Sequence, residues 1–205
     1  MIRLYRFPLS TNVERVALAL AHKKLPVESV EIDPQDRSEV RRVSGQDLVP
    51  VLDDGGTIVS DSMAIVRYLE ERYPEPRLYP ADPARRAEML IFIDWFNRVW
   101  KRPPNDIEAE MGKPSPDAAR IERLGRAMAD SLDLFEAMLQ GRDYLMGSDL
   151  SAADCAAFPF LRYALIHPTG DPYLFHDILV RYQPLGSQHG RLRSWIRRVD
   201  ERPRA

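Results

Sequence analysis

The chain has 205 residues, 44% hydrophobic and 29% charged, with a formal net charge of −2. That length fits one domain or two small ones, and the apolar share excludes a disordered chain. The near-neutral charge argues against a protein built to neutralise a row of phosphates, although its basic residues are mostly arginine. A single cysteine, Cys155, excludes an internal disulfide framework, a Cys-rich metal site and a dithiol redox pair. The chain opens on a β-rich run rather than a charged-then-apolar leader, and its apolar runs fall short of the ~20 residues of a membrane span. The expectation is a cytoplasmic protein with no nucleic-acid and no membrane partner.

Residues 2–7 form the first strand, closed by Pro8. From Asn12 the apolar positions Val13, Val16, Ala17, Leu20 and Ala21 recur at three and four, which predicts a helix to about Lys24. Residues 27–32 alternate apolar and charged, as a half-exposed strand does, and residues 37–43 suit a short polar helix. Residues 49–52 and 57–59 flank Asp53-Asp54-Gly55-Gly56, a strong hairpin signal. Asp61 or Ser60 then caps a helix carrying Ala64, Ile65, Tyr68 and Leu69, which Pro74 and Pro76 end. The order β-α-β-α-β-β-α predicts a layered α/β unit.

Pro74, Pro76, Pro80 and Pro83 among charged residues read as a linker over 74–83, dividing 1–73 from 84–205. Residues 85–102 carry Leu90, Ile91, Phe92, Ile93, Trp95, Phe96, Val99 and Trp100 and predict one long helix. Residues 117–139 keep helical spacing through Ile121, Leu124, Met128, Leu132, Phe135 and Leu139, and Gly141 stops them. Helices over 151–166, 172–182 and 188–199 complete an all-α module. Cys155 in this module reads as a buried, inert thiol.

These features together resemble the glutathione transferases. The resemblance is carried by Ser10-Thr11-Asn12-Val13-Glu14-Arg15-Val16, Val49-Pro50-Val51-Leu52, Asp61-Ser62 and the run from Ala64 to Glu70. It continues through residues 141–154, with Ser151-Ala152-Ala153-Asp154, to Trp195-Ile196-Arg197-Arg198-Val199 before Arg202-Pro203. It implies a serine-type, bacterial-like member, with the class open among theta-, zeta- and nu-like. The implied architecture is a thioredoxin-like α/β domain (1–73), the linker and an all-α C-terminal domain (84–205). The resemblance further implies a homodimer, glutathione as co-substrate, no metal, and a detoxifying transfer of the thiolate to a small hydrophobic electrophile. In that dimer the hairpin edge and the helix at 61–72 would meet the first long C-terminal helices of the partner.

The chemistry such an enzyme needs can be stated from physics. A thiol near pKa 8.5 is mostly protonated at neutral pH, and the thiolate is the nucleophile. Lowering that value by about two units takes ~2.7 kcal/mol of preferential stabilisation of the anion. A hydroxyl at a helix start supplies one hydrogen bond, and the helix N-terminus adds N–H groups and positive potential. The resemblance assigns this role to Ser10, with Thr11 beside it and Asn12 as a second catalytic candidate. Local sequence alone favours an N-cap, and it is the resemblance that favours the chemical role. Relatives with Thr and Asn at the places of Ser10 and Asn12 act as disulfide reductases. Zeta-type isomerases carry Ser-Ser-Cys there, so Asn12 weighs against isomerisation and excludes chemistry that needs a cysteine at this place.

The resemblance makes Pro50 a cis proline, turning the Val49 backbone toward the cysteinyl part of glutathione. Asp61 would face the γ-glutamyl ammonium, and Ser62 with helix N–H groups its carboxylate. Leu48 stands where relatives often carry Lys, Arg or Gln, which leaves the glycyl carboxylate to Arg37, with Arg41 and the neutral Gln46 as alternatives. Arg98, Lys101 and Arg102 on the predicted 85–102 helix are candidates for the electrophile pocket. Ser151 and Asp154 read as a capping box with a folding role. A glutathione-dependent disulfide or peroxide reductase, a zeta-like isomerase and a non-catalytic glutathione-binding scaffold remain as alternatives.

Overall fold

Four short strands form one sheet: β1 (Ile2–Arg6), β2 (Val27–Glu31), β3 (Val51–Asp54) and β4 (Thr57–Ser60), in the order β2-β1-β3-β4. β2 runs parallel to β1, β3 antiparallel to β1, and β4 antiparallel to β3. Leu4, Val51 and Leu52 are completely buried, so the two middle strands form the floor of the core. The β3–β4 hairpin closes on Gly55 (φ 61°) and Gly56 (φ 100°), both in the left-handed region that glycine enters at no steric cost.

This computed structural model describes residues 1–205, and the chain folds into two units, Met1–Pro80 with Arg202–Ala205, and Ala81–Glu201. In the first, α1 (Thr11–His22) packs against α3 (Ser62–Arg72), and α2 (Ser38–Ser44) is a short polar helix. α1 buries Val13, Val16, Ala17 and Leu20, as the spacing predicts, and also Arg15, Leu18 and Ala19. The chain's last residues lie along this helix. The Ala205 amide donates to Ala17 O (3.2 Å), Arg6 Nη1 donates to Ala205 O (2.7 Å), and Arg204 Nε pairs with Glu14 Oε1 (2.8 Å).

The far ends of α1 and α3 are tied by a buried ion pair. Lys23 Nζ reaches Glu70 Oε2 at 2.7 Å and donates to the carbonyls of Tyr73 (2.6 Å) and Pro76 (3.0 Å). Glu70 in turn accepts from the amides of Leu78 (3.0 Å) and Tyr79 (3.3 Å). The proline-rich stretch after α3 is therefore held by charge-assisted bonds to its backbone.

The second unit is helical: α4 (Pro83–Trp95), α5 (Arg102–Met111), α6 (Ala118–Met138), α7 (Ala152–Leu161), α8 (Leu174–Arg181) and α9 (Gly190–Asp200). Its core is aromatic. Phe96 and Trp100 stack at 4.6 Å, and Phe135 and Phe160 meet them edge-on at 5.7–6.2 Å. Every residue of α7 is buried, Cys155 among them. α6 is crossed closely at Gly125, where a Cβ would run into the Tyr182 ring. No helix is long and apolar enough to cross a membrane.

Two expectations about helices need correction. Residues 85–102 are not one helix: α4 ends at Trp95, a π-helical segment spans Phe96–Trp100, and α5 starts at Arg102. Pro103 and Pro104 open α5 because the first turn of a helix needs no N–H from them. α7 likewise stops at Leu161, followed by a 3₁₀ turn at Arg162–Ala164, short of the predicted end at 166.

Candidate functional site

Strand register brings distant parts of the sequence to one end of the first unit's sheet. Tyr5 pairs with Val51, and Val51 with Ser60, so these residues form one row across β1, β3 and β4. β1 and β4 both leave the sheet at that end, and β3 enters there. The turn from Phe7 to Ser10, the Val49–Pro50 bond and the Asp61–Ser62 step are consequently neighbours along a single sheet edge. α1 and α3 both begin there, and each helix start carries about half a positive charge in unbonded N–H groups.

Ser10 is the N-cap of α1, with extended backbone (φ −64°, ψ 115°), and is half-buried. Its Oγ accepts from the Val13 amide at 3.4 Å, at the long limit of such a bond. A serine hydroxyl has one donor and two acceptor positions, so this bond leaves the O–H proton uncommitted. Thr11 is buried as the first residue of the helix, and Asn12 is half-buried beside it.

The Val49–Pro50 bond is cis, and both residues are buried. Asp61 caps α3 in an uncommon conformation for a side-chain-bearing residue (φ 74°, ψ 124°), a strain of about 1–3 kcal/mol. Its Oδ1 accepts from both Met63 N (3.0 Å) and Ala64 N (2.9 Å), which keeps Oδ2 for another donor. Ser62 is buried, and its Oγ accepts from Arg15 Nη1 at 3.3 Å.

Arg15 is the residue that sequence reasoning overlooked. The residue is 2% exposed, and its guanidinium links the start of α3 to α1. The available signal was its position: Thr11, Arg15 and Leu18 lie three and four residues apart, on a helix face that is otherwise buried.

β2 also leaves the sheet at this end, and the loop after it returns Arg37 to the site. The Arg37 guanidinium lies 5.1 Å from the Phe7 ring centre, and its Nη1 donates to Asp47 O at 3.1 Å. Arg41 pairs with Asp47 (2.8 Å) at an exposed position. Gln46 is occupied by its own loop, bonding both the amide (2.6 Å) and the carbonyl (2.7 Å) of Leu48. Leu48 itself is 69% exposed.

Arg98, Lys101 and Arg102 do not share a helix as expected. Arg98 sits in the π-helical segment and pairs with Asp94 (2.6 Å), Lys101 places Nζ 4.7 Å from the Phe160 ring centre, and exposed Arg102 opens α5. Trp100, whose Nε1 donates to Ser131 Oγ (2.8 Å), belongs to the core.

Ser151 and Asp154 form the predicted capping box. Asp154 accepts four hydrogen bonds, from Leu145 N (2.9 Å), Ser151 N (2.9 Å), Ser151 Oγ (2.6 Å) and Trp195 Nε1 (2.8 Å). Complete burial pushes its carboxyl pKa up, while those donors pull it down.

Comparison with known proteins accounts for both units. The model described as "Glutathione S-transferase, N-terminal domain" matches residues 4–77, and "Glutathione S-transferase, C-terminal domain" matches residues 118–198. FtsZ-localized protein A of Caulobacter vibrioides is 31% identical over 166 residues, which cover 75% of this chain and 73% of that protein. Glutathione S-transferase GstB of Escherichia coli K12 is 28% identical over 212 residues, covering 99% and 95%. Among solved structures, the tau class glutathione S-transferase MiGSTU of mango shares the fold, with a TM-score of 0.81 at 18% identity over 98% of this chain and 88% of that one. With both halves matched in order, and with the cis proline and the two helix starts meeting at one sheet edge, the chain belongs to the glutathione S-transferase family.

Proposed function

We propose that this protein is a serine-type glutathione transferase that joins the glutathione thiolate to a small hydrophobic electrophile. The observation that carries this reading is the sheet edge where the Ser10 turn, the cis Val49–Pro50 bond and Asp61–Ser62 meet. Ser10 has a hydroxyl proton to give, and α1 adds positive potential behind it, which together favour an anionic sulfur. Val49 offers backbone N–H and C=O groups to the cysteinyl unit. The Oδ2 atom of Asp61 faces the γ-glutamyl ammonium, and Ser62, through its hydroxyl and its own N–H, binds its carboxylate, since the Met63 and Ala64 amides are held by Asp61 Oδ1. Arg37 serves the glycyl carboxylate through Nη2, its Nε and Nη1 being bonded to the Pro34 and Asp47 carbonyls and its charge unpaired, whereas Arg41 is paired with the Asp47 carboxylate and Gln46 is spent on Leu48. With a chloro-aromatic substrate, a carbon–sulfur bond forms, the carbon–chlorine bond breaks, chloride leaves with the bond pair and the thiol proton goes to solvent. The protein's part is to ionise and position the sulfur.

Arg98, Lys101 and Arg102 remain the proposed electrophile-side residues, with Lys101 held over the core ring of Phe160. The working form is proposed to be a homodimer in the cytoplasm. Gel filtration at the monomer mass of 23.6 kDa would count against the dimer.

A second reading has a specific observation behind it. A relative at 31% identity is named for its localisation with FtsZ, so a glutathione-binding scaffold without turnover is the alternative. Purified protein assayed with glutathione and a chloro-aromatic electrophile, and separately with a mixed disulfide, decides between them. Conjugation that Ser10→Ala abolishes while glutathione binding survives supports the transferase. Disulfide reduction that persists in Ser10→Ala points to Asn12 as the sulfur partner. Bound glutathione with no turnover of either substrate supports the scaffold.

A further inference from the structure

A cavity of about 500 Å³ opens in the helical unit, between the end of α6, the loop after it and α9. It falls within the ~300–1,000 Å³ of small-molecule sites, yet no apolar side chain lines it. Three guanidiniums do, those of Arg142, Arg191 and Arg198, together with Ser194 and the single carboxylate of Glu136. The lining residues sum to +2, with the Asp143 carboxylate 3.3 Å from Arg198 beside them, on a chain whose overall charge is −2.

Glu136 offsets one of the three charges, pairing with Arg191 at 2.9 Å. Its two oxygens accept from the amides of Arg191 (3.2 Å) and Leu192 (2.8 Å), so its charge is directed into the first turn of α9. The helix start is consequently not the binding feature; the guanidiniums are. Arg191 engages Glu136 through Nε (2.9 Å), which leaves its terminal nitrogens for a ligand. Arg142 commits one nitrogen to the Leu145 carbonyl (3.1 Å). Arg198 is the most occupied, bonding the Asp143 carbonyl (2.7 Å) and approaching its carboxylate (3.3 Å). On α9, Arg191, Ser194 and Arg198 stand at i, i+3 and i+7, on one face, with Arg142 contributed by the loop after α6.

We propose that this cavity binds a small phosphate-class anion carrying more than one charge, such as a diphosphate or a phosphate monoester. The polar lining suits a ligand polar throughout. Guanidinium donors approaching from separate chain segments suit the outward-pointing oxygens of a tetrahedral oxyanion better than the flat edge of a carboxylate. The proposal is independent of how the first unit handles glutathione.

The test is calorimetric titration of the full chain with inorganic pyrophosphate, and in a second arm with citrate, at low ionic strength. Saturable one-to-one binding of pyrophosphate, tighter than citrate, is expected. Ser194→Glu, which adds a carboxylate at an exposed helical position, should weaken it about tenfold or more, and Arg142→Gln about tenfold. Thermal unfolding of both variants checks that the helical unit stays folded. No saturable pyrophosphate binding, or binding unchanged in both folded variants, overturns the site. Tighter binding of citrate overturns the phosphate assignment.

Discussion

Ser10 and Ser151 each precede a helix as its N-cap, one in each unit, and their surroundings differ. Ser151 is buried, and both its amide and its hydroxyl donate to Asp154, at 2.9 and 2.6 Å. Nothing on that residue is left for a ligand. Ser10 is half-buried, and its oxygen only accepts one long bond from Val13. Its proton is available, at the end of a sheet where a second helix also begins. The same residue in the same helical position has its donors spent in one case and a hydroxyl proton to give in the other, which is what the proposed role of Ser10 requires.

The largest effect expected from this contrast is on stability. Asp154→Ala leaves four buried donors without their acceptor, at about 1–3 kcal/mol each when unsatisfied. Urea denaturation should show a loss of about 4 kcal/mol or more, with activity per folded molecule unchanged. A loss below about 1 kcal/mol would mean that the box is not the clamp described.

Ser10→Ala should do the reverse. Conjugation at neutral pH is expected to fall about a hundredfold, ~2.7 kcal/mol on the barrier, while stability falls by only ~1 kcal/mol from the lost cap. If the rate falls only as far as the folded fraction does, Ser10 is a cap of the Ser151 kind.

Arg15→Lys tests the link between the two helix starts. A lysine keeps the charge but loses the planar fork that reaches Ser62, so Ser62 is positioned less well. Steady-state kinetics should show KM for glutathione rising about tenfold (~1.4 kcal/mol) with kcat little changed. Equal effects on kcat would place Arg15 in the chemical step.

The smallest effect separates folding from thiol ionisation in any pH profile. Burial lowers the pKa of His22, whose Nε2 lies 3.1 Å from the Arg77 carbonyl. The folded value is then below the unfolded one of about 6.5, so the unfolded chain takes up the proton first. Stability present above about pH 6.5 is lost as pH falls from there through the folded value. Thermal unfolding of His22→Gln should show a flatter acid limb than the parent; an identical limb would remove His22 from the account.

The first unit was legible because its signals are local. The Val13–Val16–Ala17–Leu20 spacing, the Asp-Asp-Gly-Gly turn and the strand alternation each fix one element, and the turn also fixes the pairing of β3 with β4. The break after Trp95 was hidden, since an apolar run is compatible with α and π turns alike, and Pro103-Pro104 resembles an end as much as a beginning. Groups that act across the chain were invisible for another reason. Arg15 reaches Ser62, Lys23 reaches Glu70 and Arg142 shares a cavity with Arg198, each 47 or more residues apart, and nothing in periodicity joins them.

The thiolate absorbance of glutathione held at saturation, followed against pH in the parent protein and in Ser10→Ala, bears most directly on the claim. The parent should ionise the bound sulfur about two units below the ~8.5 of an ordinary thiol, and the variant should return most of the way. A bound sulfur that titrates like the free thiol, or one whose midpoint the substitution leaves in place, would contradict it.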